Sequence, residues 1–239
     1  MKAIFLTQFG ESKDSFEIRE TDRPSAKPGQ VVIKVQASGL NFADVMARRG
    51  LYNDAPPLPA ILGYDVCGVI EEVGEGVEDL TKGQTVTAMT RFGGYAEYVS
   101  TQAEGVAAIP AGWDPGRATS LTTQACTAVY CAEEVINLYP GERVLIQAAS
   151  GGVGRTLIQL AKHYGCEVFA TASGGKQDYL KEMGVDHPID YIKEDFSQRI
   201  PEILNGEKLD VVFDNLGGKR YKQGLNLLGP AGRIVSYGA

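Results

Sequence analysis

With 239 residues, 44% of them hydrophobic and 22% charged, the chain is long enough for one large domain or two ordinary ones, and it can build a sizeable core. Its formal net charge of −7 is spread over both halves, which excludes a general nucleic-acid binder, since that function needs a basic face. The opening MKAIFLTQFG is too short and too weakly basic for a signal peptide, and no run of about 18 uncharged apolar residues follows it.

The first half is written as short strands separated by Gly and Pro. Strands are expected at Lys2 to Leu6, Val31 to Ala37, Tyr64 to Val73, Thr85 to Met89 and Gly94 to Val99. In the second of these, Val31, Ile33, Val35 and Ala37 fall on one face and Lys34 and Gln36 on the other, the period of a half-buried strand. Phe42 to Arg49 is expected to form one short helix between strands. The pattern changes near Trp113. Asp114-Pro115 is a helix-start signal, and apolar residues from Ala118 to Ile136 then recur at helical spacing, which predicts one or two buried helices up to Leu138.

Beyond Gly141 the order becomes strand, helix, strand, helix: Arg143 to Ala148, Val153 to Tyr164, Glu167 to Ala172, Gln177 to Met183. Further strands follow at Leu209 to Asp214 and Arg233 to Tyr237. Such alternation buries a parallel sheet between two helix layers. The chain is therefore expected to be α/β, with a β-barrel domain over residues 1–120 followed by a doubly wound parallel-sheet (Rossmann) domain over residues 121–239. The four cysteines, Cys67, Cys126, Cys131 and Cys166, form no CxxC pair and are read as small buried apolar residues in a reducing compartment. A cytoplasmic location is expected, with peripheral attachment to a membrane left open.

The strongest local signal is Ala149-Ser150-Gly151-Gly152-Val153-Gly154, between the apolar strand VLIQA and the helix that follows. It fits the dinucleotide fingerprint G-x-G-x-x-G with alanine at the first position. A missing side chain at Gly151 lets the backbone approach a pyrophosphate, one at Gly154 lets the helix pack on the strand, and the helix start presents amide groups to the anion. An NAD site usually places an acid about 20 residues on. Here the second strand ends in Thr171-Ala172-Ser173-Gly174-Gly175-Lys176, with no acid to repel a 2′-phosphate, Ser173 as a donor and Lys176 as a cation, so NADPH is expected. Lys176 read as a solvated residue at a helix start is the competing account of that one position.

Four segments, ASGLNFADVMARRGLY from Ala37, ILGYDVCGVIEEVGEGV from Ile61, AASGGVGRTLIQLAK from Ala148 and DNLGG from Asp214, carry a wider likeness. With them the sequence resembles the medium-chain dehydrogenase/reductase superfamily, in particular its quinone oxidoreductase branch, over the whole length present. The stretches GLNFADVMARRGLY, TASGGKQDYLKEMGVDHPIDY and YGA look closest to the vesicle-amine-transport-protein-like subgroup. The resemblance implies a GroES-like barrel that carries the acceptor site, and a Rossmann domain. Relatives continue past GRIVSYGA with a sixth strand and a return to the barrel. The fifth strand is thus expected as an apolar edge needing cover, and a homodimer is expected for the full-length chain.

In the zinc alcohol dehydrogenases of this superfamily the position of Asn41 is a ligand cysteine, and Tyr64-Asp65 is a His-Glu pair that includes another ligand. The four-cysteine structural-zinc lobe is replaced here by RFGGYAEYV, and both histidines, His163 and His187, lie in the second half. No metal is expected, and without a Lewis acid alcohol oxidation is a poor candidate. The resemblance instead implies hydride transfer from NADPH to a quinone or an enal, whose developing charge is held by hydrogen-bond donors. Under it Asn41 lies beside the nicotinamide ribose or the acceptor, Tyr52 lines the acceptor cleft, and Asp44 either orients Asn41 or is a helix-surface residue. A second cleft tyrosine of some relatives is Met46 here. Thr127 matches a residue near the nicotinamide, or is a helix threonine bonded to its own turn. Tyr191 matches a residue at the 2′-phosphate, and Asn215 and Leu216 meet the cofactor at the sheet's carboxyl edge, Asn215 being alternatively a turn residue. The rival from another class is a non-catalytic NADPH-binding protein, membrane-associated or regulatory.

Overall fold

The computed structural model describes residues 1–238; Ala239, the last residue of the YGA stretch, lies outside them. The chain divides into two compact units, the first being Met1–Thr123 and the second beginning at Gln124.

The first unit is built from β1 (Lys2–Leu6), α1 (Ser12–Ser15), β2 (Phe16–Glu20), β3 (Gln30–Ser38), α2 (Phe42–Arg48), β4 (Ala60–Ile61), β5 (Asp65–Val73), β6 (Thr85–Met89), β7 (Tyr98–Gln102), β8 (Val106–Ala108) and α3 (Pro115–Ser120). These form two antiparallel sheets, in the orders β2-β1-β4 and β7-β3-β5-β6-β8. An Ala3–Ala96 bridge and the Ile4 amide bonded to the Tyr95 carbonyl at 2.8 Å join them into the expected barrel. Val31, Ile33, Val66, Ile70, Val86, Ala88 and Val99 fill its centre. A second cluster, Leu6, Ala47, Ala60 and Leu62, takes the rings of Phe16, Tyr52, Phe92 and Tyr95 against it, and so seats Tyr52 on the core.

One reading of the first half needs correction. The strand expected at Gly94 to Val99 runs instead from Tyr98 to Gln102 and pairs with β3. Gly93 has a φ of 92° and the Gly94 amide bonds to the Gly63 carbonyl, so this segment turns before it extends. The strand and short helix around residues 12–20 and the short β4 and β8 carry too little periodicity to be read in advance.

The second unit opens on α4 (Cys126–Val129), flanked by two π-helical stretches, Leu121–Ala125 on the first unit's side and Tyr130–Val135 after it. The helical run therefore ends at Val135 rather than Leu138, and its wider turns break the regular helix that the apolar spacing predicts. Cys126 is exposed, against the expectation of four buried thiols, whereas Cys67, Cys131 and Cys166 are buried.

Then follow β9 (Arg143–Ile146), α5 (Gly152–His163), β10 (Glu167–Ala172), α6 (Gln177–Glu182), β11 (His187–Asp190), α7 (Phe196–Ile203), β12 (Leu209–Asp214), α8 (Gly218–Leu227) and β13 (Leu228–Ser236). The five strands are parallel in the order β11-β10-β9-β12-β13. Alternate residues along the central strands serve two cores. Val144, Ile146, Val168, Ala170, Val211 and Phe213 pack with Leu157, Ile158 and Ala161 of α5 and Leu180 of α6. Leu145, Phe169 and Val212 face the other way, onto Phe196 and Ile200 of α7 and Leu227 of α8. Burial on both faces is why these strands read as unbroken apolar runs. The chain reverses its direction of travel at β9, so the carboxyl ends of β9 and β12 form the switch point where open α/β sheets bind ligands. Among the described residues no helix is long and apolar enough to cross a membrane.

The barrel's tightest packing predicts a stability effect. A Cβ at Gly68 of β5 would lie 2.1 Å from the Lys34 carbonyl oxygen of β3, a backbone atom that cannot rotate away. Gly68→Ala is expected to destabilise the chain by about 3 kcal/mol, the upper range of overpacking. Urea unfolding measures this, and an unchanged midpoint is the contrary result.

Candidate functional site

In the first unit the site grows from the start of α2. Asn41 is its N-cap, in extended backbone, a position that favours Asn because its side-chain oxygen can accept an amide of the first turn. Asp44, three residues on, is buried at 4% exposure, which removes the helix-surface reading. One carboxylate oxygen accepts the Asn41 backbone N–H at 2.9 Å and the other accepts the Gly63 N–H at 3.0 Å. Asp44 thus pins the helix start to the segment that enters β5. Burial pushes its carboxyl above the usual range, and the Asn41 and Gly63 amides only partly offset this. The buried Tyr95 hydroxyl lies beside it, near enough to favour its charge but outside the geometry of a full hydrogen bond.

The Asn41 side chain is held by a different acid. Its amide donates to Asp65 at 3.2 Å, and the Thr123 backbone N–H reaches the same carboxylate oxygen at 3.4 Å. A carboxylate only accepts, so this contact fixes which way round the Asn41 amide stands. Asp65 is fully buried, and a Cβ at Gly39 would fall 2.0 Å from its other oxygen, so Gly39 is required there. Asp44 therefore orients the backbone of Asn41 and Asp65 its side chain. The second role was missed in the sequence because residues 41 and 65 meet only in the folded sheet.

Tyr52, half-buried against the second barrel cluster, receives a hydrogen bond from the Tyr64 hydroxyl at 2.9 Å. The two rings meet edge to face, with centroids 6.0 Å apart, and Phe92 packs on Tyr64 at 4.9 Å. Asn41 is thus bonded to Asp44 and Asp65, and Tyr64 to Tyr52, the two groups being joined through the backbone from Gly63 to Asp65. Met46 supplies no second hydroxyl, but Tyr64 does.

In the second unit the turn from β9 into α5 forms the cradle. Ala148 takes a φ of 47°, which reverses the chain, and the Gly151 N–H closes onto the Ala148 carbonyl at 3.0 Å. A Cβ at Gly154 would stand 2.7 Å from Ala149 Cα and 2.8 Å from the Ala148 oxygen, so only glycine lets α5 sit this close to the strand. At Gly151 the nearest atom to such a Cβ is 3.2 Å away, and the turn is exposed there. Gly152 answers to a residue that the motif does not show: the Gln124 side chain lies where its Cβ would be. Val153 packs its side chain on the core, so its backbone N–H is the group it offers, and half-buried Ser150 completes the turn.

Around the cradle, Gln147 at the end of β9 and Asn215 just past β12 each bury a side-chain oxygen with no partner. Such atoms are rare and mark a place for a ligand or water. The Gln147 amide donates to Asp214 at 2.9 Å, and Asp214 also accepts the Gly217 N–H at 3.0 Å. The turn after β12 is therefore capped by Asp214 rather than by Asn215, and Leu216 stands exposed beside it. Thr127 is half-buried on α4. Across the end of β10, Ser173 and exposed Lys176 sit on one tight turn, whose carbonyl at Ser173 accepts the Lys176 N–H at 2.9 Å. One acid does come near: Asp190 of β11 tucks under this turn, 2.5 Å from where a Gly174 Cβ would be. Its charge is partly answered by the Ile192 N–H at 3.1 Å and by Lys193 at 3.8 Å. Tyr191 carries the Arg220 guanidinium 4.6 Å above its ring, a cation that the sequence alone does not bring to this edge.

The glycine cradle, the orphaned oxygens at the switch point and the Ser173–Lys176 turn fit a phosphorylated dinucleotide. Among the described residues no group of three His, Cys, Asp or Glu side chains is placed to hold a metal ion. His187 instead bonds to Glu167 at 2.7 Å and stacks on Phe169.

The Asp44 geometry makes a pH prediction. Its folded carboxyl titrates above its ordinary value of 3.8, so the stability it contributes is complete below that value and is lost as pH rises through the raised one. Asp44→Asn cannot ionise, so the stability gap between the unsubstituted chain and the variant is expected to be widest in acid and to narrow towards neutrality. Urea midpoints of both chains across that range measure the gap, and a constant one is the contrary result.

Comparison with known proteins places this geometry. Residues 27–111 match the alcohol dehydrogenase GroES-like domain, and residues 152–239 match the zinc-binding dehydrogenase domain. The synaptic vesicle membrane protein VAT-1 homolog of Homo sapiens is 40% identical over the whole chain, which covers 61% of that protein. The chain thus spans about three fifths of the length of the curated relatives it matches. Among solved structures, the CurK enoyl reductase is 33% identical with a TM-score of 0.92, the match covering 100% of this chain and 74% of that one. The Escherichia coli quinone oxidoreductase complexed with NADPH is 28% identical with a TM-score of 0.93, over 100% and 73% of the two chains. The cradle, the barrel and these likenesses agree: the chain belongs to the medium-chain dehydrogenase/reductase superfamily, in its quinone oxidoreductase branch beside the VAT-1 homologues.

Proposed function

We propose that this chain carries the cofactor and acceptor sites of a zinc-independent reductase that passes hydride from NADPH to a quinone or an α,β-unsaturated carbonyl, in the cytoplasm. The observation that carries the reading is the exchange of ligands for hydrogen-bond donors. Where zinc relatives place a ligand cysteine and a ligand from a His-Glu pair, this chain has Asn41 bonded to Asp65 and Tyr64 bonded to Tyr52. The likeness to an enoyl reductase and to a quinone oxidoreductase supports the same acceptors.

When bound, the reduced nicotinamide supplies a hydride. The protein's own residues do the rest. The exposed Gly151 turn and the start of α5 receive the pyrophosphate with the amides of Gly152, Val153 and Gly154, while Ser150 adds a hydroxyl. Ser173 and Lys176 meet the 2′-phosphate, and Tyr191, under Arg220, flanks the adenosine. Thr127, Asn215 and Leu216 line the path towards the nicotinamide. Asn41, held at both backbone and side chain, orients the ribose or the acceptor. Tyr52 donates a hydrogen bond to the oxygen on which negative charge develops, then its proton. Asp44, with both oxygens engaged by backbone amides, supports Asn41 rather than touching the acceptor.

NADPH oxidation with 9,10-phenanthrenequinone and with a simple enal tests the reading: turnover of at least one is expected. Tight NADPH binding without turnover of either would support the rival, a non-catalytic NADPH-binding protein, membrane-associated or regulatory. Cofactor choice has its own test. Lys176→Ala is expected to weaken NADPH binding roughly tenfold, the worth of one charge-assisted bond, and to leave NADH nearly unchanged. Equal loss for both cofactors, by nicotinamide fluorescence titration, would count against Lys176 as the 2′-phosphate ligand.

A further inference from the structure

Tyr64 has a hydroxyl that the proposed reaction does not yet use. Its partner is specific: the Tyr52 oxygen at 2.9 Å, with Tyr64 donating. Its ring is clamped between the edge of Tyr52 and the face of Phe92. Its backbone is fixed from both sides, because Gly63 is held by Asp44 and by Thr90 Oγ at 2.8 Å, and Asp65 by Asn41. Such a hydroxyl is held in place. Burial and the bond to Tyr52 push the Tyr64 phenol upward, so it keeps its proton and remains a donor across the pH range in which a reductase works.

A phenol oxygen that accepts one hydrogen bond has its own proton directed away from that donor, and each bond in such a chain polarises the next. We propose that Tyr64 is the positioning residue for Tyr52: it aims the Tyr52 proton at the acceptor oxygen and stabilises the oxygen left behind. This rests on the reductase reading above. The bound reduced nicotinamide would supply the hydride to the acceptor carbon, and negative charge would then develop on the acceptor oxygen that Tyr52 faces. The Tyr52 O–H bond breaks, its proton goes to that oxygen, and its electron pair stays on Tyr52 as a phenolate that keeps the Tyr64 hydrogen bond. Water then returns the proton. The acceptor is reduced by two electrons, the nicotinamide is oxidised by two, and neither tyrosine changes oxidation state.

The bond to Tyr52 and the rings that clamp Tyr64 assign it this role. The neighbouring acid, Asp65, bonds to the Asn41 side chain and takes no part in the bond between the two tyrosines.

The test compares Tyr64→Phe, Tyr52→Phe and the double variant in the otherwise unchanged full chain. Phenylalanine keeps the ring that packs on Phe92 and removes only the hydroxyl. Tyr64→Phe is expected to lower kcat about tenfold with little change in KM for NADPH or acceptor, to raise the solvent deuterium effect on kcat, and to have no further effect when Tyr52 is already phenylalanine. A second readout needs no turnover: the proton NMR spectrum should contain a tyrosine hydroxyl resonance protected from exchange, lost in both single variants. A kcat and isotope effect equal to those of the unsubstituted chain, or losses that simply add in the double variant, would overturn the role of Tyr64 while leaving the reductase reading intact. A loss confined to KM and thermal stability would reduce Tyr64 to packing and overturn it equally. If the unsubstituted chain turns over neither acceptor, the functional reading fails and this inference fails with it.

Discussion

Two carboxylates buried at one helix start hold the barrel's polar residues in place. Asp44 and Asp65 lie on different elements, yet each closes a link between the first turn of α2 and the segment entering β5. Charge is costly to bury, and the cost is met only because each acid is engaged by N–H donors that would otherwise be orphaned. At Asp44 burial outweighs the amides, which is why its carboxyl titrates above the ordinary range. The arrangement is therefore all or none. A helix start displaced by an ångström would strand two charges and two amides together, so Asn41 and Tyr64 inherit their positions from a structural constraint rather than from any contact with a ligand.

The second unit solves the opposite problem. Its cradle contains no charge, and the features that define it are missing atoms: no side chain at Gly154 where the helix must touch the strand, and none at Gly152 where Gln124 lies. The polar groups that remain, the oxygens of Gln147 and Asn215, are buried without partners at the point where the sheet's winding reverses. A protein interior seldom tolerates this, and a ligand that brings its own donors relieves it. The first unit thus presents an Asn41 already held and aimed, although one Asp65 oxygen and the Tyr95 hydroxyl stay unpartnered, and the second presents oxygens still to be satisfied.

How much of this was legible in the sequence follows from how local each feature is. β1, β6, β10 and β12 stand where the strand reading put them, because β1 alternates in burial and the other three are mostly buried, patterns that an apolar sequence run shows directly. The glycine cradle was legible for the same reason, since its strand, turn and helix are contiguous. β7 was misplaced because Gly93 and Gly94 turn a stretch whose apolar spacing looks extended, and α7 and α8 were passed over because their polar faces hide short apolar stripes. The pairings of Asn41 with Asp65, Tyr64 with Tyr52, and Arg220 with Tyr191 were not legible at all. Each joins residues from 12 to 29 positions apart, and composition holds no record of such meetings.

The pair at Tyr64 and Asp65 shows why a likeness read one residue at a time can mislead. As departures from a zinc site, these residues say only that a ligand is gone. In the folded chain they do two separate jobs: the acid at 65 holds Asn41, and the phenol at 64 bonds to Tyr52. A Lewis acid stabilises a developing oxyanion by direct charge, whereas a donor chain must do so through geometry, because a hydrogen bond weakens steeply once it is bent or stretched. On the function proposed above, exchanging the first means for the second raises the demand for rigidity around the donors. The buried carboxylates at 44 and 65, the required glycine at 39 and the ring of Phe92 behind Tyr64 meet that demand.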